Sequence, residues 1–406
     1  MVRRAAAHGL AADTYYVPAA KRLPWAKEML DDNDGPHLHN DPLAYNVLLS
    51  VRMKSATDPK DKVFALYCVF QEFGVPVPPP DYRKSVADIY REATVASVEY
   101  DKLLNVLYYA PSDNRMPGLA SWVPDWSDPG WPDGDSRSPL VSGQFAAGGP
   151  SELKWRFSGD STKLVITGRI VDTIMYRCDA MPGGDELLAA QRAGRYILRQ
   201  SKMLLDFIAR GHKIFKSWLE VSQWSDYPTG ESTKEAFKRT IIMDNPDGLL
   251  DFENSSVRLF TKWYDILQAS ETELMVMMMD RTMPDWRQGA HPEATMALST
   301  AIIPRSMRTL SALGDTSDFH IEAMMLSGKK CFFYTENHYF GLAPDPSPVP
   351  IQAGDKIVVF GGMAHPFLLR PVDGGYRLLT HVYVHGIMYG EAWPEREGDL
   401  EEITLV

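Results

Sequence analysis

Residues 41–54, DPLAYNVLLSVRMK, set Leu43, Tyr45, Val47, Leu48 and Val51 at mostly helical spacing, so the first readable element is a helix with one apolar face. The run TDPKDKVFALYCVF follows with the marks of a helix start. Thr57 or Asp58 serves as cap, Pro59 suits the first helical position where its missing N–H costs nothing, and Asp61 faces the positive helix end. GVPVPPP then forces an extended loop. A third helix is predicted from Ser85, with Ser85 and Asp88 at its start and Val86, Ile89, Tyr90, Ala93 and Ala96 as its buried stripe. This helical block ends near Tyr109. Residues 117–150 are broken by prolines and glycines around Trp122, Trp126 and Trp131, an irregular segment pinned by aromatics, and a boundary is expected near residue 150.

The period then changes from helical to alternating. LKWRFSGDSTKLVITGRIVDTIMYRC at 153–178 is rich in β-branched residues around a turn at Gly159 and Asp160 and predicts two or three strands. Residues 185–325 read as mainly helical, with a break near 244–248 and a methionine run at 275–279. From Cys331 the runs CFFYT, KIVVF, PFLLR and YRLLTHVYVHG predict strands again. The expected fold is therefore α+β, with helical N-terminal and central blocks and a mainly antiparallel β module formed by residues 153–180 and the C-terminal 75 or so. Its expected parts are 1–150, a hairpin region at 151–180, a helical region at 181–330 and a β module at 331–406.

Composition narrows the function classes. A chain of 406 residues with 45% hydrophobic and 23% charged residues has ample core, and no stretch reaches the eighteen or so apolar residues of a membrane span. The net charge of -11 gives a phosphate backbone little reason to approach, so no nucleic-acid partner is expected. The start MVRRAAAHGLAADTYY lacks the apolar core of a secretory signal, and three scattered cysteines, Cys68, Cys178 and Cys331, fit a reducing compartment, so a cytoplasmic location is expected. P-loop, G-x-G-x-x-G, G-x-S-x-G, H-E-x-x-H and C-x-x-C patterns are all missing, which points away from nucleotide, hydrolase, zinc-protease and redox chemistry and toward a chain with no cofactor and no metal. The sequence carries no signal of oligomeric state.

A family resemblance rests on ATDPKDKVFAL at 56–66, the DY at 81–82 followed by the Tyr90 helix, SWVPDWS at 121–127 and LVITGRIVDTI at 164–174, and continues through FFYTENHYFGL, AGDKIVVFGG, PFLLRP and YVHGIMYGE. In order and spacing these resemble the heterokaryon-incompatibility (HET) proteins of filamentous fungi, downstream of their N-terminal signature domain. The motifs of that N-terminal half, of the type LSYxWG and DxxCINQ, do not occur here. The resemblance thus implies the C-terminal module, either serving recognition or turned to other chemistry. Set against the family pattern, His381 stands at a commonly acidic position, Tyr389 at a commonly Asp position and His365 at a variable one.

Strand alternation in RLLTHVYVHG places His381, Tyr383 and His385 on one face, with Arg370 on the preceding strand as a candidate neighbour. Two histidines four residues apart along a strand are separated by roughly 13 Å, too far for a shared metal. Two functions follow from this. The first is a cofactor-independent cyclase or isomerase, of the Diels–Alder type, that holds an apolar natural-product intermediate in a reactive geometry and activates it by hydrogen bonding. His381, Tyr383, His385 and Arg370 would be its catalytic donors, and Trp122, Trp126, Tyr339, His365, Met277 and Tyr389 its substrate-binding residues. The ordinary reading of Trp122, Trp126 and Met277 is core packing, which the tryptophans favour. The second function is a non-catalytic recognition or regulatory module of the heterokaryon-incompatibility type.

Overall fold

A computed structural model describes residues 44–52, 54–112, 114–128, 145–183, 197–244, 256–283, 285–289, 291–345 and 349–406. The chain divides into two units. The first takes in residues up to Met175, Pro346–Val382 and Gly386–Val406, and the second takes in Tyr176–Asp345 and Tyr383–His385.

In the first unit the expected helices form where their caps dictate. Helix α1 spans Ala44–Arg52, α2 Pro59–Phe64, α3 Tyr67–Phe73 and α4 Val86–Asp101. Asp58 caps α2 by accepting from the Lys60 N–H with Pro59 at the first position, and Ser85 caps α4 by accepting from the Asp88 N–H. The run that begins at Asp58 is thus two short helices, parted at Ala65 and Leu66, rather than one. A 3-10 turn at Asn105–Tyr109 ends the block, and GVPVPPP is extended as expected.

Strands β1 (Trp155–Phe157), β2 (Leu164–Ala180), β5 (Lys356–Phe360), β6 (Phe367–Val372), β7 (Gly375–His381) and β9 (Glu401–Leu405) build the sheet of this unit. β2 pairs with β5 on one side and β9 on the other, β5 with β6, β6 with β7, and β7 with β9. The five strands β2, β5, β6, β7 and β9 therefore close into a ring, which leaves none of them an open edge. All these pairings are antiparallel except β7 with β9, which is parallel and limited to Tyr376 opposite Leu405. A bulge between Ile170 and Asp172 lets β2 bend around the ring. The core runs from α4 and the tryptophan segment into the ring, through Tyr90, Trp122, Trp126, Val358, Phe360, Phe367, Leu369 and Leu405.

The second unit is mainly helical. Its helices are α5 (Ile197–Ser222), α6 (Thr233–Ile241), α7 (Ser256–Gln268), α8 (Glu271–Thr282), α9 (Pro292–Ile302), α10 (Arg305–Leu313) and α11 (Ser317–Ser327). The expected break near 244–248 lies largely outside the described residues. A small antiparallel sheet of β3 (Lys330–Thr335), β4 (Phe340–Pro344) and β8 (Tyr383–Val384) joins them. Trp218 of α5 stacks on Phe332 of β3 with ring centres 5.7 Å apart, and Phe215 meets Trp263 edge to face. No helix among the described residues is long and apolar enough to cross a membrane.

Candidate functional site

The expected single strand through residues 377–386 is divided at Val382. β7 ends at His381, the Val382 N–H bonds to the Pro366 carbonyl, and Tyr383 starts β8 against Leu342 of β4. His381 belongs to the first unit and Tyr383 and His385 to the second. Strict alternation does not run through all three residues, because it holds only while one strand continues, but Tyr383 and His385 do meet, at 3.3 Å.

In the first unit His381 lies opposite Phe367, and His365 sits two residues before Phe367 in the loop between β5 and β6. That loop is held by the segment after Phe145, through Ala147 N–H to the Ala364 carbonyl and Gly148 N–H to the Met363 carbonyl. Tyr108, from the 3-10 turn, completes a triangle of buried rings. Its ring centre is 5.5 Å from that of His365 and 5.6 Å from that of His381, and the two histidines are 5.7 Å apart. The His365 N–H donates to the Tyr108 hydroxyl at 3.3 Å. Phe145 packs on His365 and, on its other side, on Tyr389, which is 48% exposed. His365, His381 and Tyr389, singled out in the sequence against the resemblance, thus gather around Tyr108 and Phe145.

Burial sets the charge state of two members of this nest. Burial pushes the His365 imidazole down to about 4 and the Tyr108 phenol up. Near neutral pH His365 and Tyr108 are therefore uncharged hydrogen-bonding groups on an aromatic wall.

Arg370 is engaged elsewhere. It faces Arg377 across the β6–β7 hairpin, three residues from the Phe367–His381 pair, and donates through Nε and Nη2 to both oxygens of the buried Asp355 at 2.8 Å. A third bond reaches the Pro350 carbonyl. The arginine pins the loop before β5. Trp122 and Trp126 are fully buried in the core, donating to the Thr162 carbonyl and to Thr94 Oγ1.

In the second unit His385 is held by its neighbours. Its Nε2 lies 2.6 Å from Glu231 Oε1, its Nδ1 lies 3.3 Å from the Tyr383 hydroxyl and 3.9 Å from Asp244 Oδ2, and its backbone carbonyl accepts from the Tyr227 hydroxyl. Tyr227 stacks on the imidazole and meets Tyr339 edge on. Met277 is partly buried on α8, whose Met275, Met278 and Met279 pack with Trp286, Met296 and Ile303. Among the described residues no group of three or more His, Cys, Asp and Glu is placed to hold a metal ion.

Sequence reading passed over Arg52 and Lys62. The Lys62 ammonium donates to the carbonyls of Arg52 and Ser127, so it ties the strings ATDPKDKVFAL and SWVPDWS to each other. The signal is a lysine inside the string ATDPKDKVFAL, next to the apolar pair Val63 and Phe64.

Residues 257–401 match the Het-6 beta-barrel domain. This part of the chain is similar to a domain of the heterokaryon-incompatibility family. The HET match covers β5, β6 and β7 of the closed ring and reaches the first residue of β9, whereas β2 lies before it. The chain is also 41% identical over 70 residues to the heterokaryon incompatibility protein 6, OR allele, of Neurospora crassa, a stretch that makes up 16% of this chain and 10% of that relative. No solved structure matches it.

Proposed function

We propose that this HET-type chain is a non-catalytic recognition module, acting in discrimination between fungal individuals of the kind the name of its Neurospora relative describes. The match of residues 257–401 to the Het-6 beta-barrel domain carries this reading. The side chains agree with it. Arg370 is neutralised by Asp355, and Trp122 and Trp126 are committed to the core. Tyr389 presents a half-exposed aromatic edge backed by Phe145, the kind of group that anchors protein contacts.

The test is genetic. Forced heterokaryons between otherwise compatible strains, carrying this chain and a divergent allele, should grow poorly, and Tyr389→Ala should restore growth without lowering the amount of protein. Normal growth for every allele pair would reject the recognition role.

One observation favours the other reading, a cofactor-independent cyclase acting on an apolar small molecule. Glu231, His385 and Tyr383 form a partly buried hydrogen-bonded chain, which this reading would use as an acid–base relay. Under that reading His385→Ala loses at least a hundredfold in turnover of a polyene or polyketide substrate while the fold is kept. A heterokaryon phenotype that survives His385→Ala removes it.

A further inference from the structure

Three cations lie inside the first unit without an ion-pair partner among the described residues: Arg52 from the end of α1, Lys62 from α2 and Arg115 from the loop before SWVPDWS. Their hydrogen bonds within the described residues go to backbone carbonyls. Arg52 Nε donates to Asp128 O at 2.8 Å, Lys62 Nζ to Arg52 O at 3.0 Å and Ser127 O at 3.2 Å, and Arg115 to the carbonyls of Ala110 and Ala120. Arg52 is only 6% exposed, and its Nη2 is buried with no acceptor.

Among the described residues the nearby carboxylates are Asp125 and Asp128. Asp125 accepts from the Met116 N–H at 2.7 Å and from the Ser127 N–H and hydroxyl at 2.9 and 2.5 Å, and Asp128 Oδ2 accepts from Ser112 Oγ. Among the described residues these three cations therefore face two carboxylates, and Arg377 adds a further positive charge beside Arg115. Desolvation lowers the proton affinity of Arg52 and Lys62, the two carboxylates offset this only in part, and Arg52 lowers that of Lys62 further. A buried guanidinium with a free donor edge and excess positive charge is costly unless something anionic completes it.

We propose that Arg52, supported by Lys62, is a binding site for a small oxyanion, a phosphate or carboxylate group that accepts from Arg52 Nη2. The ligand restores charge balance where α1, α2 and the SWVPDWS loop meet, so it stabilises the first unit. This inference does not depend on the recognition reading, since it concerns the fold of one unit.

The test is thermal unfolding of the full chain in anion-free buffer, titrated with inorganic phosphate or with acetate, with ionic strength held by chloride. At least one of the two should raise the unfolding temperature saturably, by about 2–4 °C at ten times the half-saturating concentration. Arg52→Lys keeps the charge but removes Nη2 and should raise that concentration about tenfold, whereas the exposed Lys54→Gln should leave it unchanged. Saturation by phosphate alone assigns a phosphate-type ligand, and saturation by acetate alone a carboxylate. Should Arg52→Lys fail to fold, calorimetric titration of the wild-type chain with the same two salts decides the matter. No saturable response to either anion, or an equal response in Arg52→Lys, overturns the proposal.

Discussion

His320 shows how far a single residue is set by its surroundings. The Trp263 indole N–H donates to its Nδ1 at 3.0 Å, and its Nε2 lies 3.1 Å from the Ile208 carbonyl, so the ring is neutral with the proton on Nε2. A second proton would set two donors face to face. Burial accordingly pushes this imidazole down to about 4, as it does His365. The stability each contributes is present above the ordinary histidine value near 6.5 and is lost as pH falls through about 4, each pH step of one between those values being worth about 1.4 kcal/mol. Asp101 acts the opposite way. It accepts from the Ala44 and Tyr45 N–H groups at the start of α1, yet burial pushes it up to about 6. Its contribution is present below the ordinary carboxylate value and is lost as pH rises through about 6. Urea melts between pH 4 and 7 should show His320→Gln flattening the acid side and Asp101→Asn raising relative stability above pH 6. A pH dependence unchanged in both variants would contradict these assignments. None of this was legible in the sequence, where a histidine reads alike whether its neighbour is an indole or water.

At the scale of elements, helix starts were the most readable feature, because a cap and a proline act within a few residues. The strand YRLLTHVYVHG was misread because nothing local marks Val382 as a division. Its path is fixed by the Pro366 carbonyl on one side and by β4 on the other. The weakest seam of the ring is the single parallel pair of β7 and β9, and here the family string SWVPDWS has a structural task. The Ser121 N–H and hydroxyl both donate to the Val406 carbonyl, at 2.8 and 2.5 Å, and the same hydroxyl accepts from the Leu378 N–H at 2.9 Å. One serine therefore bridges β7 and the residue after β9. Ser121→Ala leaves the buried Leu378 N–H unsatisfied and should cost about 1–3 kcal/mol in urea unfolding. A loss below about 0.5 kcal/mol would show that the seam does not rely on it. Arg370→Met should cost about 3–5 kcal/mol by leaving Asp355, 1% exposed, as a buried unpaired carboxylate. The double variant Arg370→Met, Asp355→Leu should recover much of that, and failure to recover would assign the arginine a role beyond this pair.

Over the whole molecule, the α+β class and the HET resemblance were legible because order and spacing along the chain survive in any fold. The ring was not, because closure depends on residues at opposite ends of the sequence. Leu164 to Gly168 of β2 lie against Leu405 to Glu401 of β9, and the same strand continues to Gly168–Thr173 against β5. Gly168 stands where the two pairings meet, and a Cβ there would lie 2.5 Å from the Val359 carbonyl oxygen, so the backbones approach too closely for any side chain. The first unit is thus assembled from three stretches of chain, and its integrity rests on the last of them. Deleting residues 401–406 removes the partner of both β2 and β7, frees the acceptor that Ser121 holds, and takes Leu405 and Ile403 out of the core. Two open strand edges in place of a closed ring also invite association between chains. The truncated protein should therefore lose the cooperative unfolding of the first unit and sediment as aggregates, while the full chain under the same conditions does not. A truncated chain that stays monodisperse with an unchanged urea midpoint would mean that β9 is an ornament on an open sheet and that the ring is not what holds this unit together.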